Sequence, residues 1–418
     1  MSGFRPAPRP RPVRTLNAAW GALARAGVGR VSLDEASLVA AARRASGLHD
    51  FGEDAFREPM RRVLDALDHE ARLHPLGRIA MRTTLVRTLV NRLRLQQARD
   101  LHAEIRGWPV RAPVFIVGLP RTGTTLLHRL LTCEPTLRPL LSWEALNPAP
   151  YPQGPARGAR ASGERDPRMR PAEFAERALR YLAPEFFAIH PVEAHAPEED
   201  VLIMDLSFLS PTVDASFRVP SYSAWFHASD QRPMYRTLRE VIQLLLWQRD
   251  GRWLGKTPHH LEQLDALLEV FPDARVIHTH RDPVTVVASF CSMMTHGRRV
   301  FSDEVDPTEV GAQLSEKLVR GVGRAMEARD RLDPAAFIDV AYDDLVADPM
   351  KQVRRIYDFI GCELTPGTER AMEDWRASNR QGRHGVHRYE LSDFGLRRDE
   401  IDARFAAYRE RFEVRRDR

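Results

Sequence analysis

Residues Pro113 to Leu131, PVFIVGLPRTGTTLLHRLL, leave little freedom in what this part of the chain can fold into. Val114-Phe115-Ile116-Val117 is a short apolar run rich in β-branched residues, the pattern of a buried parallel strand. Gly118 to Gly123 is a turn whose two glycines can take backbone angles closed to other residues. From Thr124 onward, Leu126, Leu127, Leu130 and Leu131 recur at helical spacing. A strand, a glycine-bearing loop and a helix start in that order aim backbone N–H groups and the helix dipole at one spot, which suits a phosphate. A bare strand-to-helix turn is the plainer alternative. It leaves the convergence of Arg121, Thr122, Thr124 and Thr125 on one helix start without a purpose.

The loop keeps the glycine spacing of the P-loop of nucleoside triphosphatases and departs from it at one place. That motif ends in Gly-Lys-Ser/Thr, and its lysine reaches the β- and γ-phosphates. Here Thr124 follows Gly123, so a triphosphate would be poorly neutralised. Arg121, inside the loop, is the cation on offer instead.

PRTGTT resembles the 5′-phosphosulfate loop of sulfotransferases that use 3′-phosphoadenosine 5′-phosphosulfate (PAPS). The resemblance runs from about Pro113 to Tyr408. In arrangement it is most similar to bacterial sulfotransferase family proteins, with tyrosylprotein sulfotransferases as more distant relatives. It implies that Arg121, Thr122, Gly123, Thr124 and Thr125 hold the 5′ side of the nucleotide.

The remaining motifs follow in order. Glu144, in Leu140-Leu141-Ser142-Trp143-Glu144, lies one helix and one connection beyond Arg121, which can return it to the sheet edge where the loop sits. A carboxylate there can take a proton from an attacking hydroxyl. Spacing alone favours a helix cap or a surface acid; the resemblance implies the catalytic glutamate. Trp253 to Gly255 reads as a short strand with Lys256 at its carboxyl end and a helix starting at Pro258. The only lysines are Lys256, Lys317 and Lys351. Lys256 resembles the family lysine that contacts the sulfuryl group. His259 and His260 are alternatives to Glu144 as base, or else cap the helix and bind a loop. Arg281 ends another strand and Ser289 lies on the helix after it, so both can reach one phosphate. The pair resembles the family's 3′-phosphate site. A structural Arg281–Asp282 contact is the plainer alternative. Tyr342, in Tyr342-Asp343-Asp344-Leu345, resembles a family tyrosine near the nucleotide, with Asp343 in place of glutamate. A basic stretch from Arg380 to Leu396, with Arg388, resembles the C-terminal loop that closes the site. Glu198-Glu199-Asp200 reads as acids in the first turn of a helix. Ser221 to His227 is aromatic and lines a pocket or the core.

Length and composition set the frame. A chain of 418 residues can bury a large core. The charge of +5 is nearly all arginine, interspersed with acids and without a basic block, which speaks against nucleic acid and suits an anionic co-substrate. No run has the length of a membrane span, and no apolar segment follows the basic, Pro-rich start. Cys133, Cys291 and Cys362 lack metal or redox spacing, so a reduced, cytoplasmic setting is expected.

The expected organisation is a disordered stretch 1–14, helices over 15–107 that pack on the main domain or on a second copy, and a domain over 108–418. The fold expected for that domain is three-layer α/β, P-loop-like, with a parallel sheet flanked by helices. The expected function is sulfuryl transfer from PAPS, without a metal, to a hydroxyl or amine of a small molecule or carbohydrate. The alternatives are a P-loop kinase or nucleotidase, which Thr124 disfavours, and a nucleotide-binding protein without catalysis, in which Glu144 and Lys256 would be dispensable.

Overall fold

The computed structural model describes residues 9–25, 29–151, 165–379 and 389–417. Arg388 and most of the stretch 151–170 lie outside them.

Five parallel strands form one sheet. They are β1 (Val114–Gly118), β2 (Leu137–Pro139), β3 (Arg252–Lys256), β4 (Arg275–His280) and β5 (Phe337–Ala341), ordered β2-β3-β1-β4-β5. The central strand β1 is the apolar run of the opening motif, and all five of its residues are buried. Its alternate side chains enter two cores. Phe115 and Val117 join one cluster, while Val114 and Ile116 join the other. The second core is filled by Leu127, Leu130 and Leu131 from the helix Thr124–Leu131 and by Val353 and Ile356 from Pro349–Ile360. The first core runs without a break into the N-terminal helices through Leu38, Met60, Leu67 and Leu89. The sheet therefore has helices on both faces, the expected architecture.

Local signals account for most element ends. Asp34 caps Glu35–Ser46 by accepting from the Ser37 N–H at 3.0 Å. Proline stands in the first turn of Pro75–Leu101, Pro283–Arg299 and Pro349–Ile360.

Three details differ from expectation. A helix already begins at Arg11, inside the stretch expected to lack structure, because Val13 is buried and Asn17 Oδ1 accepts from the Leu76 N–H at 3.1 Å. Strand β2 has only three residues, one a proline, too few for periodicity to show; it survives at the sheet edge, paired only with β3. The stretch from Ile401 to Arg418, whose pattern reads as one last amphipathic helix, instead holds the end of Arg398–Arg404 and a second short helix, Ala406–Phe412. No helix among the described residues is long and apolar enough to cross a membrane.

Candidate active site

In an open parallel sheet the ligand crevice lies beyond the carboxyl ends of neighbouring strands whose connections run in opposite directions. Here those strands are β1, β3 and β4. Their ends carry the 118–123 loop, Lys256 and Arg281.

The loop is held by contacts that only these residues allow. Gly118 has φ 150°, and a Cβ there would lie 2.4 Å from Thr279 Oγ1 and 2.6 Å from Thr279 O. Gly123 has φ 85°, and a Cβ would sit 3.0 Å from Leu345 and 3.1 Å from the Tyr342 ring. Thr122 is fully buried. Its hydroxyl donates to Leu119 O at 2.7 Å and lies 2.6 Å from Thr279 Oγ1, so it braces the loop and leaves only its backbone to a ligand. Arg121 takes the left-handed conformation, φ 68°, which is strained for a residue with a side chain. Its side chain reaches across to Ser289, with Nε 3.3 Å from Ser289 Oγ. Thr124 is buried and Thr125 is exposed at the helix start, where the first N–H groups have no partner inside the helix.

Arg281 enters the same crevice from the end of β4. Its guanidinium stacks on the Tyr342 ring at 3.9 Å, and Nη1 donates to Arg121 O at 3.1 Å. Asp282 does not pair with Arg281. It caps Pro283–Arg299 by accepting from the Val284 N–H at 3.0 Å and is bound by Arg409. The alternative Arg281–Asp282 contact is therefore not made. Arg121, the neighbouring Arg281 and Ser289, and Tyr342, from three separate stretches of the chain, form one connected group.

Glu144 stands elsewhere. It is buried, and Arg138, also buried, binds both of its oxygens, at 2.7 and 2.8 Å. The Leu141 N–H donates to Oε2 as well, at 3.1 Å. A carboxylate satisfied three times and closed to solvent has the surroundings of a structural ion pair. Position along the chain could not reveal this, because Arg138 comes from the unforeseen strand β2.

The histidines are closed in too. His260 is fully buried between Tyr235 (OH to Nδ1, 3.0 Å) and Asp200 (Oδ2 to Nε2, 3.2 Å). Burial raises the Asp200 carboxyl above its ordinary range, against the opposing pull of His260 and Lys256. His259 binds Gln231 Oε1 at 2.7 Å and is driven well below the usual imidazole range, by burial first and then by Lys317 and His260.

The acid that meets Lys256 is Glu199. Lys256 Nζ donates to Glu199 Oε1 at 2.6 Å, and Thr257 Oγ1 lies 3.3 Å from Oε2. Burial would raise the Glu199 carboxyl; the Lys256 ammonium, with His190 adding, outweighs it and holds the carboxyl below its ordinary range. The lysine side chain is buried, whereas Glu199 keeps 20% of its side chain exposed. A backbone path carries Glu199 there. Leu141 bridges Pro197, Glu198 N–H donates to Leu140 O at 2.8 Å, and Asp200 N–H donates to Lys256 O at 3.1 Å. The acidic run was expected only to favour a helix start. The density of three acids before an apolar tetrad was its one visible signal.

Two further groups carry titratable side chains. His128, on the loop helix, is buried with no partner at Nε2 among the described residues. Burial, then Lys256 and Arg129, push it well below the usual range, so it is neutral. His278, His280 and Asp339 form a cluster of metal-type donors, but Arg329 already holds both Asp339 oxygens at 3.0 Å and supplies the cation this carboxylate faces.

Comparison with known proteins bears on the whole arrangement. The model of the Sulfotransferase family matches residues 113–366. The omega-hydroxy-beta-dihydromenaquinone-9 sulfotransferase Stf3 of Mycobacterium bovis is 30% identical over 270 residues, 60% of this chain and 62% of that protein, so the match spans less than two thirds of the relative. The crystal structure of sulfotransferase STF1 from Mycobacterium tuberculosis H37Rv is similar with a TM-score of 0.79 and 34% identity, over 90% of this chain and 99% of that one. For sulfotransferase STF9 from Mycobacterium avium the values are 0.83 and 28%, over 92% and 98%.

Proposed function

The chain belongs to the sulfotransferase family, and from that premise we propose that it moves a sulfuryl group from PAPS to the hydroxyl of a small-molecule acceptor. The observation that carries this reading is the connected group Arg121, Ser289, Arg281 and Tyr342 at the ends of β1 and β4. Arg121, Gly123, Thr124 and Thr125 would bind the 5′-phosphate side through cationic and backbone donors. Arg281 and Ser289 would bind the 3′-phosphate, and Tyr342 would back the Arg281 guanidinium.

In the proposed reaction the acceptor oxygen attacks sulfur as the bond from sulfur to the 5′-phosphate oxygen breaks. 3′-Phosphoadenosine 5′-phosphate leaves with that electron pair. Lys256 neutralises the charge growing on the bridging oxygen, the electrostatic role that dominates such loose transfers. The acceptor proton goes to Glu199, the carboxylate beside Lys256 that remains partly open to solvent. Stf3 is named for an omega-hydroxy menaquinone, and an alcohol is the acceptor class we assign here. A cytoplasmic setting belongs to the same reading and is supported by three free cysteines.

Calorimetry on the full chain tests the proposal. 3′-Phosphoadenosine 5′-phosphate should bind without magnesium, and 5′-AMP much more weakly. Equal affinity for the two would remove the 3′-phosphate assignment. Binding of the first together with no sulfuryl transfer across a panel of alcohols would leave a nucleotide-binding protein in place of an enzyme.

A further inference from the structure

The helix Met169–Leu182 stands on the rim of the molecule and buries only Ala172. Phe174 and Tyr181 are 69% and 59% exposed, and Leu182 is 40% exposed. With Ala178 they fall on one stripe, since residues four, seven and eight apart share a helix face. The two acids of the helix turn inward: Glu176 Oε2 accepts from the Ala194 N–H at 2.9 Å, and Glu173 Oε1 lies 2.8 Å from His195 Nε2. Arg170 and Arg177 stay exposed, and Arg180, also exposed, pairs with Glu176 Oε1 at 2.8 Å. To solvent the helix thus shows an aromatic stripe bordered by arginines. Its first turn packs with Trp143 and Ala194, at the start of the segment that runs on to Glu199.

We propose that this helix docks on an anionic lipid surface, with the Phe174–Tyr181–Leu182 stripe in the headgroup boundary and the arginines against lipid phosphates. Interfacial helices have this build, with apolar area and basic charge acting together. A second copy is a poorer occupant. It would set arginine against arginine, and three side chains fall far short of the roughly 1,600 Å² buried in a standard protein interface. The preceding segment, 152–164, has no large apolar side chain with which to cover the stripe. The inference does not depend on the sulfuryl-transfer reading.

Sedimentation of the full chain with vesicles tests it. The chain should pellet with mixed phosphatidylglycerol–phosphatidylcholine vesicles, should be released by salt, and should stay in solution with phosphatidylcholine alone. Phe174→Ser with Tyr181→Ser, and separately Arg170→Glu with Arg177→Glu, should each weaken partitioning about tenfold or more. Both pairs are solvent-exposed, so melting temperatures should stay at the wild-type value. A wild-type chain that ignores anionic vesicles overturns the proposal, as do variants that bind as well as wild type. A dimer at equilibrium ultracentrifugation that Phe174→Ser dissolves would give the stripe to a second copy and overturn it equally.

Discussion

Asp417 Oδ2 accepts from Arg281 Nε at 3.0 Å, so the guanidinium assigned to the 3′-phosphate already holds a carboxylate from near the far end of the chain. The contact is braced, since the Asp417 N–H donates to Asp282 Oδ2 at 2.9 Å. An incoming phosphate must displace Asp417 or share Arg281 with it. Asp417→Asn removes the competing charge and should tighten binding of 3′-phosphoadenosine 5′-phosphate by about tenfold, the scale of one charge-assisted hydrogen bond of about 1.4 kcal/mol. Calorimetry at constant salt reads the change. Weaker binding in the variant would instead make Asp417 a positioning residue for Arg281.

The Arg138–Glu144 pair leads to a stability prediction. Glu144→Gln leaves a buried guanidinium without its anion, and removing one partner of a buried pair costs about 3–5 kcal/mol. Urea unfolding should show that loss. Arg138→Met combined with Glu144→Leu should recover most of it, because no charge is then left unpaired. Unchanged stability with turnover down a hundredfold would return the base role to Glu144.

Glu199 and Lys256 should separate catalysis from binding. Glu199→Gln is expected to lower turnover by about 10²–10⁴-fold, the contribution of a positioned base, with nucleotide affinity near wild type. Lys256→Ala should also reduce turnover, through lost charge stabilisation in the transition state. Full turnover by Glu199→Gln with an aliphatic alcohol would remove the glutamate from the reaction.

His74 makes stability depend on pH. Its Nδ1 accepts from the Gly77 N–H at 2.8 Å, capping Pro75–Leu101, and Nε2 donates to Val300 O at 3.1 Å, so the folded state needs the neutral ring. Burial, with Arg9 adding, pushes it down to about 4. The unfolded chain, titrating near 6.5, then binds more protons between these values, and stability rises with pH across that window. The contribution is complete above pH 6.5 and is lost as pH falls toward 4. Between pH 7.5 and pH 5 it should amount to about 2 kcal/mol. His74→Asn keeps a capping acceptor and drops the titration. The difference in unfolding free energy between wild type and variant should therefore narrow by that amount at pH 5, and a difference independent of pH would contradict it.

Sequence by itself determined the parts whose causes are local. A short apolar β-branched run suits a strand buried on both faces, and Gly118 and Gly123 stand where a Cβ would collide, so β1, the loop and its helix were legible from Pro113 to Leu131. Arg281 and Ser289 were legible for the same reason, one ending a strand and the other on the helix that starts at once after it. Which acid faces Lys256 was not local. Glu144 and Glu199 both lie near the sheet edge, and only the tertiary structure sends Arg138 of β2 to the first and Lys256 of β3 to the second. The pairing follows from which backbone lies against which, through Leu141 and Pro197 and through Asp200 and Lys256. The enclosure of His260 and the reach of Asp417 to Arg281 are likewise contacts between distant residues, for which hydrophobic period and spacing carry no signal.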